Sequence, residues 1–131
     1  MNVFRTKFVS VFLATVWISV SEFARNELLL KSYWVAHYQQ MGLIFPSAPV
    51  NGAIWGLWSL FLALAIFFIS RRFSLWQTTF IAWWTGFVMM WVVIGNLGAL
   101  PLGIMWAAIP LSLLESFVAA WIVYKSRVNS V

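Results

Sequence analysis

The chain contains no cysteine and no aspartate, one histidine, and three glutamates in 131 residues. Without cysteine there is no disulfide, no thiolate nucleophile and no thiolate-ligated metal. One His and three scattered Glu give no metal-binding spacing, so neither a metal nor another cofactor is expected. Also absent are a serine-nucleophile motif, a glycine-rich phosphate loop and any nucleic-acid module. No residue is therefore assigned as catalytic, and no nucleic-acid partner is expected. Scarcest of all is charge. Asp, Glu, Lys and Arg make up 8% of the chain, against about 25% in soluble domains. Hydrophobic residues make up 63%, more apolar surface than a water-soluble fold of this size can enclose. The surrounding solvent must be lipid.

What the chain does have is long apolar runs. Four segments, at about residues 8–30, 52–69, 75–97 and 102–124, approach the ~20 residues needed to cross a ~30 Å hydrocarbon layer. Backbone amides cannot go unpaired in lipid, so all four are expected to be helices. Residues 1–131 thus read as one domain, an all-α integral membrane protein with four transmembrane helices in a bundle. Arg5 and Lys7 before an apolar run, with Ser19 and Ser21 near its end, have the outline of a secretory signal; we read this segment as the first transmembrane helix. Pro46, Pro49, Asn51 and Gly52 punctuate the start of the second, and Gly98, Pro101 and Gly103 make a tight turn before the fourth.

Loop charge sets the expected orientation. Arg5, Lys7, Arg71, Arg72, Lys125 and Arg127 fall on one side of the membrane, and only Arg25 and Lys31 on the other. Six against two places the N- and C-termini in the cytoplasm, with a bacterial inner membrane or a plasma membrane as the location. The first outer connection, from Lys31 to Val50, is about 20 residues long and carries Tyr33, Trp34, His37, Tyr38 and Phe45. Such amphipathic rings suit an interfacial loop in the headgroup layer. A weak repeat is also visible: Gly52-Ala-Ile-Trp55 opens the second helix and Gly103-Ile-Met-Trp106 the fourth.

Lipid provides no hydrophobic drive between helices, so contacting faces favour small and polar residues. The second helix offers Gly52, Gly56, Ser59 and Ala63, and the fourth Ala108, Ser112, Glu115 and Ala119, at the same helical spacing. The first repeats it with Thr15, Ser19, Glu22 and Asn26; in the third, Thr79, Ala82 and Gly86 are the best candidates. Packing explains the small residues. It does not require the carboxylates.

Glu115 lies roughly 14 Å from the cytoplasmic end of the fourth helix, near the bilayer centre. A charge there costs at least ~2.5 kcal/mol and usually marks an ion or substrate pathway. Ser112 and Ser116 flank it, and Pro110 frees the carbonyl of Trp106. Glu22 and Arg25, three residues apart near the outer end of the first helix, can pair; Asn26 stands beside them. Asn96 either caps the third helix or joins the same outer crevice. Glu27 and Lys31 suit a self-neutralised helix end, and His37 an interfacial residue.

The leading expectation is a small transporter or ion-coupled permease component, working in the bilayer as a homo-oligomer or with other membrane subunits. Glu115 would be its proton- or cation-binding carboxylate, approached past Glu22 and Arg25. The alternatives are a non-catalytic subunit of a larger membrane complex, with its carboxylates bonding helices together, and an enzyme acting on a lipid or isoprenoid at the outer surface through Glu22, Arg25 and His37.

Overall fold

The computed structural model describes the backbone of residues 3–128 and the side chains of residues 6–127; the Arg5 side chain invoked in the charge count lies outside these. Among the described residues every regular element is helical. Four helices are long and apolar enough to cross a membrane: Thr6–Leu29, Pro49–Ser70, Leu75–Asn96 and Leu102–Arg127. The elements are α1 (Val3–Phe23), α2 (Lys31–Gln40), α3 (Pro49–Ser70), α4 (Leu75–Trp83), α5 (Met89–Asn96) and α6 (Met105–Val128).

Local chemistry accounts for most of the boundaries. Pro49 occupies the first turn of α3, where its missing N–H costs nothing, so the second span begins at Pro49 rather than at 52. Ser74 and Gln77 form a reciprocal capping box at the start of α4. Both α2 and α5 stop at a glycine in the left-handed region, Gly42 (φ 73°) and Gly98 (φ 72°). In each case the next amide reaches back, Leu43 to the Tyr38 carbonyl at 2.9 Å and Ala99 to the Ile94 carbonyl at 3.0 Å, which satisfies carbonyls the helix leaves open. The segment from Lys31 is not simply a loop, since its first ten residues are α2.

Two spans leave α-helical pitch. Ala24–Leu29 continues α1 as a π-helix, and Trp84–Val88 joins α4 to α5 in the same way. The Leu30 amide bonds to the Arg25 carbonyl at 2.8 Å, five residues back, a geometry that is rare and concentrated at functional sites.

The first span packs most extensively on the second and fourth, the third packs on the fourth and second, and a thinner contact joins second to fourth. The order around the bundle therefore follows the chain. The first span buries Ser10, Ala14, Ile18, Glu22 and Arg25 and exposes Phe8, Phe12, Val16, Val20 and Phe23, so its bulky apolar residues face outward, as lipid requires. The main core joins Ala14 and Ile18 to Leu62, Ala63, Ile66, Ala82, Phe87, Ala119, Ala120 and Val123. A second cluster, Leu30, Leu100, Ile104, Ala107 and Ala108, lies toward the other end. At the Ser70–Ser74 turn, Arg127 donates to the Ser70 carbonyl and Tyr124 to the Phe73 carbonyl.

Of the expected packing residues, Ser59, Ala63, Ala108 and Ala119 are buried. Gly52 and Gly56 are not packing positions: a Cβ built on either meets nothing within 4 Å. Close approach occurs instead at Gly86, where a Cβ would stand 3.1 Å from Leu62 Cδ1. Trp83 and Trp84 divide as neighbours on a helix must, with Trp83 half-buried and Trp84 58% exposed.

Candidate ion and substrate site

The four charged and amide residues singled out on the first and fourth spans converge, except that Asn26 meets the group through Glu22. Arg25 reaches across the bundle, and its Nη1 donates to Glu115 Oε2 at 2.8 Å. Its Nη2 donates to Glu22 Oε1 on its own helix. Asn26 Nδ2 donates to the other Glu22 oxygen at 2.9 Å, and Asn26 Oδ1 accepts from Trp34 Nε1 at 3.2 Å. The Phe87 ring, carried on the π segment of the third span, lies 5.3 Å from the guanidinium carbon, within cation–π range. Arg25, Glu22 and Glu115 are 7%, 4% and 0% exposed.

A buried ion pair is stable only when its geometry is good and its remaining lone pairs are met. Here one is not. Glu115 Oε1 is buried without a hydrogen-bond partner. With all three groups ionised, two carboxylates and one guanidinium sum to −1. A proton on either carboxyl would make the cluster neutral, and on Glu115 it would turn the unmet oxygen into a donor.

Two cavities approach this cluster. One, of about 420 Å³, lies between the first and second spans and is lined by Ser19, Glu22, Phe23, Asn26, Gly52, Gly56 and Ser59 among others. The second, of about 390 Å³, has Glu22, Arg25 and Asn26 on its wall together with Trp34, Tyr38, Phe45, Trp55 and Trp91. They share Glu22, Asn26, Glu27, Pro46, Asn51 and Trp55. Each is of ligand-binding size. Glu115 lines neither; Arg25 stands between it and the cavity.

The remaining expected residues lie elsewhere. Ser112 accepts from Trp83 Nε1 at 2.9 Å and donates to the Ile109 carbonyl, a link between the third and fourth spans away from both cavities. Asn96 is exposed at the end of α5 and lines neither cavity; the helix end it was expected to cap is closed by Gly98. Lys31 and Glu27 pair at 2.9 Å on a half-exposed helix end. His37 Nε2 lies 2.7 Å from the Gly98 carbonyl; since a carbonyl only accepts, that nitrogen carries the hydrogen. Tyr33 of α2 lies against Gly103, so α2 rests across the connection between the third and fourth spans.

Sequence reasoning missed Trp17 and Phe87, and placed Trp34 only among the interfacial rings although it bonds to Asn26. Trp17 Nε1 donates to the Glu115 carbonyl at 3.0 Å, so the first span holds the Glu115 turn by backbone as well as by charge. Comparison with the profiles of known families, with curated proteins and with solved structures finds no match to this chain.

Proposed function

We propose that the chain is a small ion-coupled transporter whose working centre is the Glu22–Arg25–Glu115 triad. The observation that carries this reading is a buried guanidinium shared by two carboxylates, one on a cavity wall and one sealed behind it with an unmet oxygen. Arg25 keeps its charge throughout. A proton arriving at either carboxyl frees the guanidinium to pair fully with the other, and a cation arriving beside Glu22 does the same. Proton and cation then compete for one negative charge, which is the requirement for exchanging them. The expected orientation, with residues 31–50 on the outer side, makes the cavity open away from the cytoplasm.

The subunit reading draws its support from the sealing of Glu115, because a carboxyl without access to the cavity suits a structural bond. The enzyme reading needed His37 above Glu22. That imidazole lines neither cavity and donates to the Gly98 carbonyl, which favours the transporter reading over the enzyme one.

The test is proton movement in proteoliposomes containing a trapped pH indicator, with gradients of Na⁺, K⁺ and tetraphenylphosphonium imposed in turn. At least one gradient should move protons, and Glu115→Gln should abolish the movement while leaving the protein folded. Gln keeps the shape and a hydrogen bond but cannot lose a proton. A structural carboxyl predicts the reverse pattern, with Gln harmless and Leu destabilising. Full proton movement by folded Glu115→Gln protein, or none with any cation in the wild type, would end the proposal.

A further inference from the structure

We infer that the substrate is an amphiphilic organic cation, an amine or quaternary ammonium carried on an apolar body, which enters sideways from the bilayer between the first and second spans. This deepens the transporter reading and rests on it only for the word substrate; the binding itself is a separate claim.

Charge selects the sign. The ionisable groups at the two cavities are Glu22 and Glu27 against Arg25 and Lys31, and Glu115 behind Arg25 brings the total to −1 when all are ionised. Neither cation is available to an anionic ligand. Arg25 is held by two carboxylates with Phe87 near its guanidinium carbon, and Lys31 is held by Glu27. An anion would have to break one of these pairs in a site already short of positive charge, whereas a cation brings the charge that is missing.

Aromatic walls select the kind of cation. Trp34, Trp55, Trp91, Tyr38 and Phe45 line the cavity on which Glu22 also stands. Ring faces attract alkylated ammonium groups, and Trp does so best. A bare alkali ion finds few oxygen ligands among these rings and gains little. An apolar body, in contrast, is matched by indoles that are already partly desolvated.

The glycines select the route. Gly52 and Gly56 face open space at one wall of the adjoining cavity, opposite Phe23 and Ser19. Had they been packing residues, the first and second spans would close on each other here. Instead a cavity lies between these two apolar spans, and it shares Glu22, Asn26 and Trp55 with the aromatic cavity.

The experiment is binding, followed both at equilibrium and as a time course, to purified full-length protein in lipid nanodiscs, with empty nanodiscs subtracted. It compares tetraphenylphosphonium with tetraphenylborate, which share a shape and differ in sign, and with tetramethylammonium, which lacks the apolar body. Tetraphenylphosphonium should bind saturably and the other two at least about tenfold more weakly. Trp55→Ala should weaken binding about tenfold, on the scale of a desolvated cation–π contact. Gly56→Leu, which fills open space on the route, should slow phosphonium association at least about tenfold with the melting temperature unchanged. Equal binding of the phosphonium and the borate would overturn the charge argument, and unslowed association with folded Gly56→Leu protein would overturn the route. Saturable phosphonium binding without proton coupling would uphold this inference while removing the transporter reading. Proton coupling to Na⁺ or K⁺ without phosphonium binding would do the opposite.

Discussion

The guanidinium of Arg25 stands 2.8 Å from the carboxylate of Glu115, 90 residues away along the chain, and the Glu115 side chain has no exposed surface at all. The bond ties the C-terminal end of the first span to the middle of the fourth. It also fixes what each can tolerate: without Arg25 two carboxylates are left uncompensated in a low-dielectric interior, whereas without the Glu115 charge Arg25 still has Glu22.

Arg25→Met should therefore cost about 3–5 kcal/mol, since it leaves Glu22 and Glu115 facing each other. The triple variant Glu22→Gln, Arg25→Met, Glu115→Gln removes every charge from the cluster and should recover most of that loss. Melting in detergent measures both. If Arg25→Met melts with the wild type, the cluster is not holding the spans together.

Packing should be intolerant at Gly86 and tolerant at Gly56. A leucine at 86 drives into Leu62, 3.1 Å from the first added carbon, and overpacking of this kind costs about 1–3 kcal/mol; Leu62→Ala in the same chain should restore part of it. A leucine at 56 enters open space and should change stability by no more than about 0.5 kcal/mol. Matching losses at both positions would mean that the first and second spans close together where the glycines lie.

Thr78 is fully buried, and its hydroxyl has no hydrogen-bond partner. A buried polar atom left unmet costs about 1–3 kcal/mol. Replacing it by the similarly shaped Val should leave the melting temperature unchanged or raise it. A clear drop would reveal a hydrogen bond to that hydroxyl.

Orientation is testable because the chain has no cysteine. Single cysteines at Ser32 and Gln40 should react with an impermeant thiol reagent applied outside intact cells, and one at Ser74 should react only after lysis. Labelling of position 74 from outside would reverse the assigned sides and turn the cavity toward the cytoplasm.

The four spans can be read from sequence because lipid sets their length, and prolines, glycines and charges bound them to within a few residues. The charged cluster is legible for a related reason. Glu22, Arg25 and Glu115 are costly in hydrocarbon, so they announce themselves and must turn inward. Gly56 and Gly86 are where this reasoning divides. A small residue marks close packing or open room alike, and only the distance to the facing helix tells which. In α2, Lys31–Gln40, the rings Tyr33, Trp34, His37 and Tyr38 do recur at helical spacing, but ten residues are too few for a helix to hold alone, and this one docks on Gly98 and Gly103. Trp17 and Phe87 gave no signal because they are two aromatics among many; their partners come from other spans.

The π turn from Ala24 to Leu29 also bears on which changes in chain length the first span can absorb. A π turn is an α turn carrying a surplus residue. Deleting Leu28 would let the helix relax to ordinary pitch, with the bundle upstream and α2 downstream keeping their relative facing. The same deletion a few residues earlier, at Ser21, would rotate Glu22 and Arg25 out of register with Glu115. One short stretch of this membrane helix is thus permissive to loss of a residue while its neighbour is not, and a scan of single-codon deletions along residues 14–30 would find the boundary between them just after Arg25.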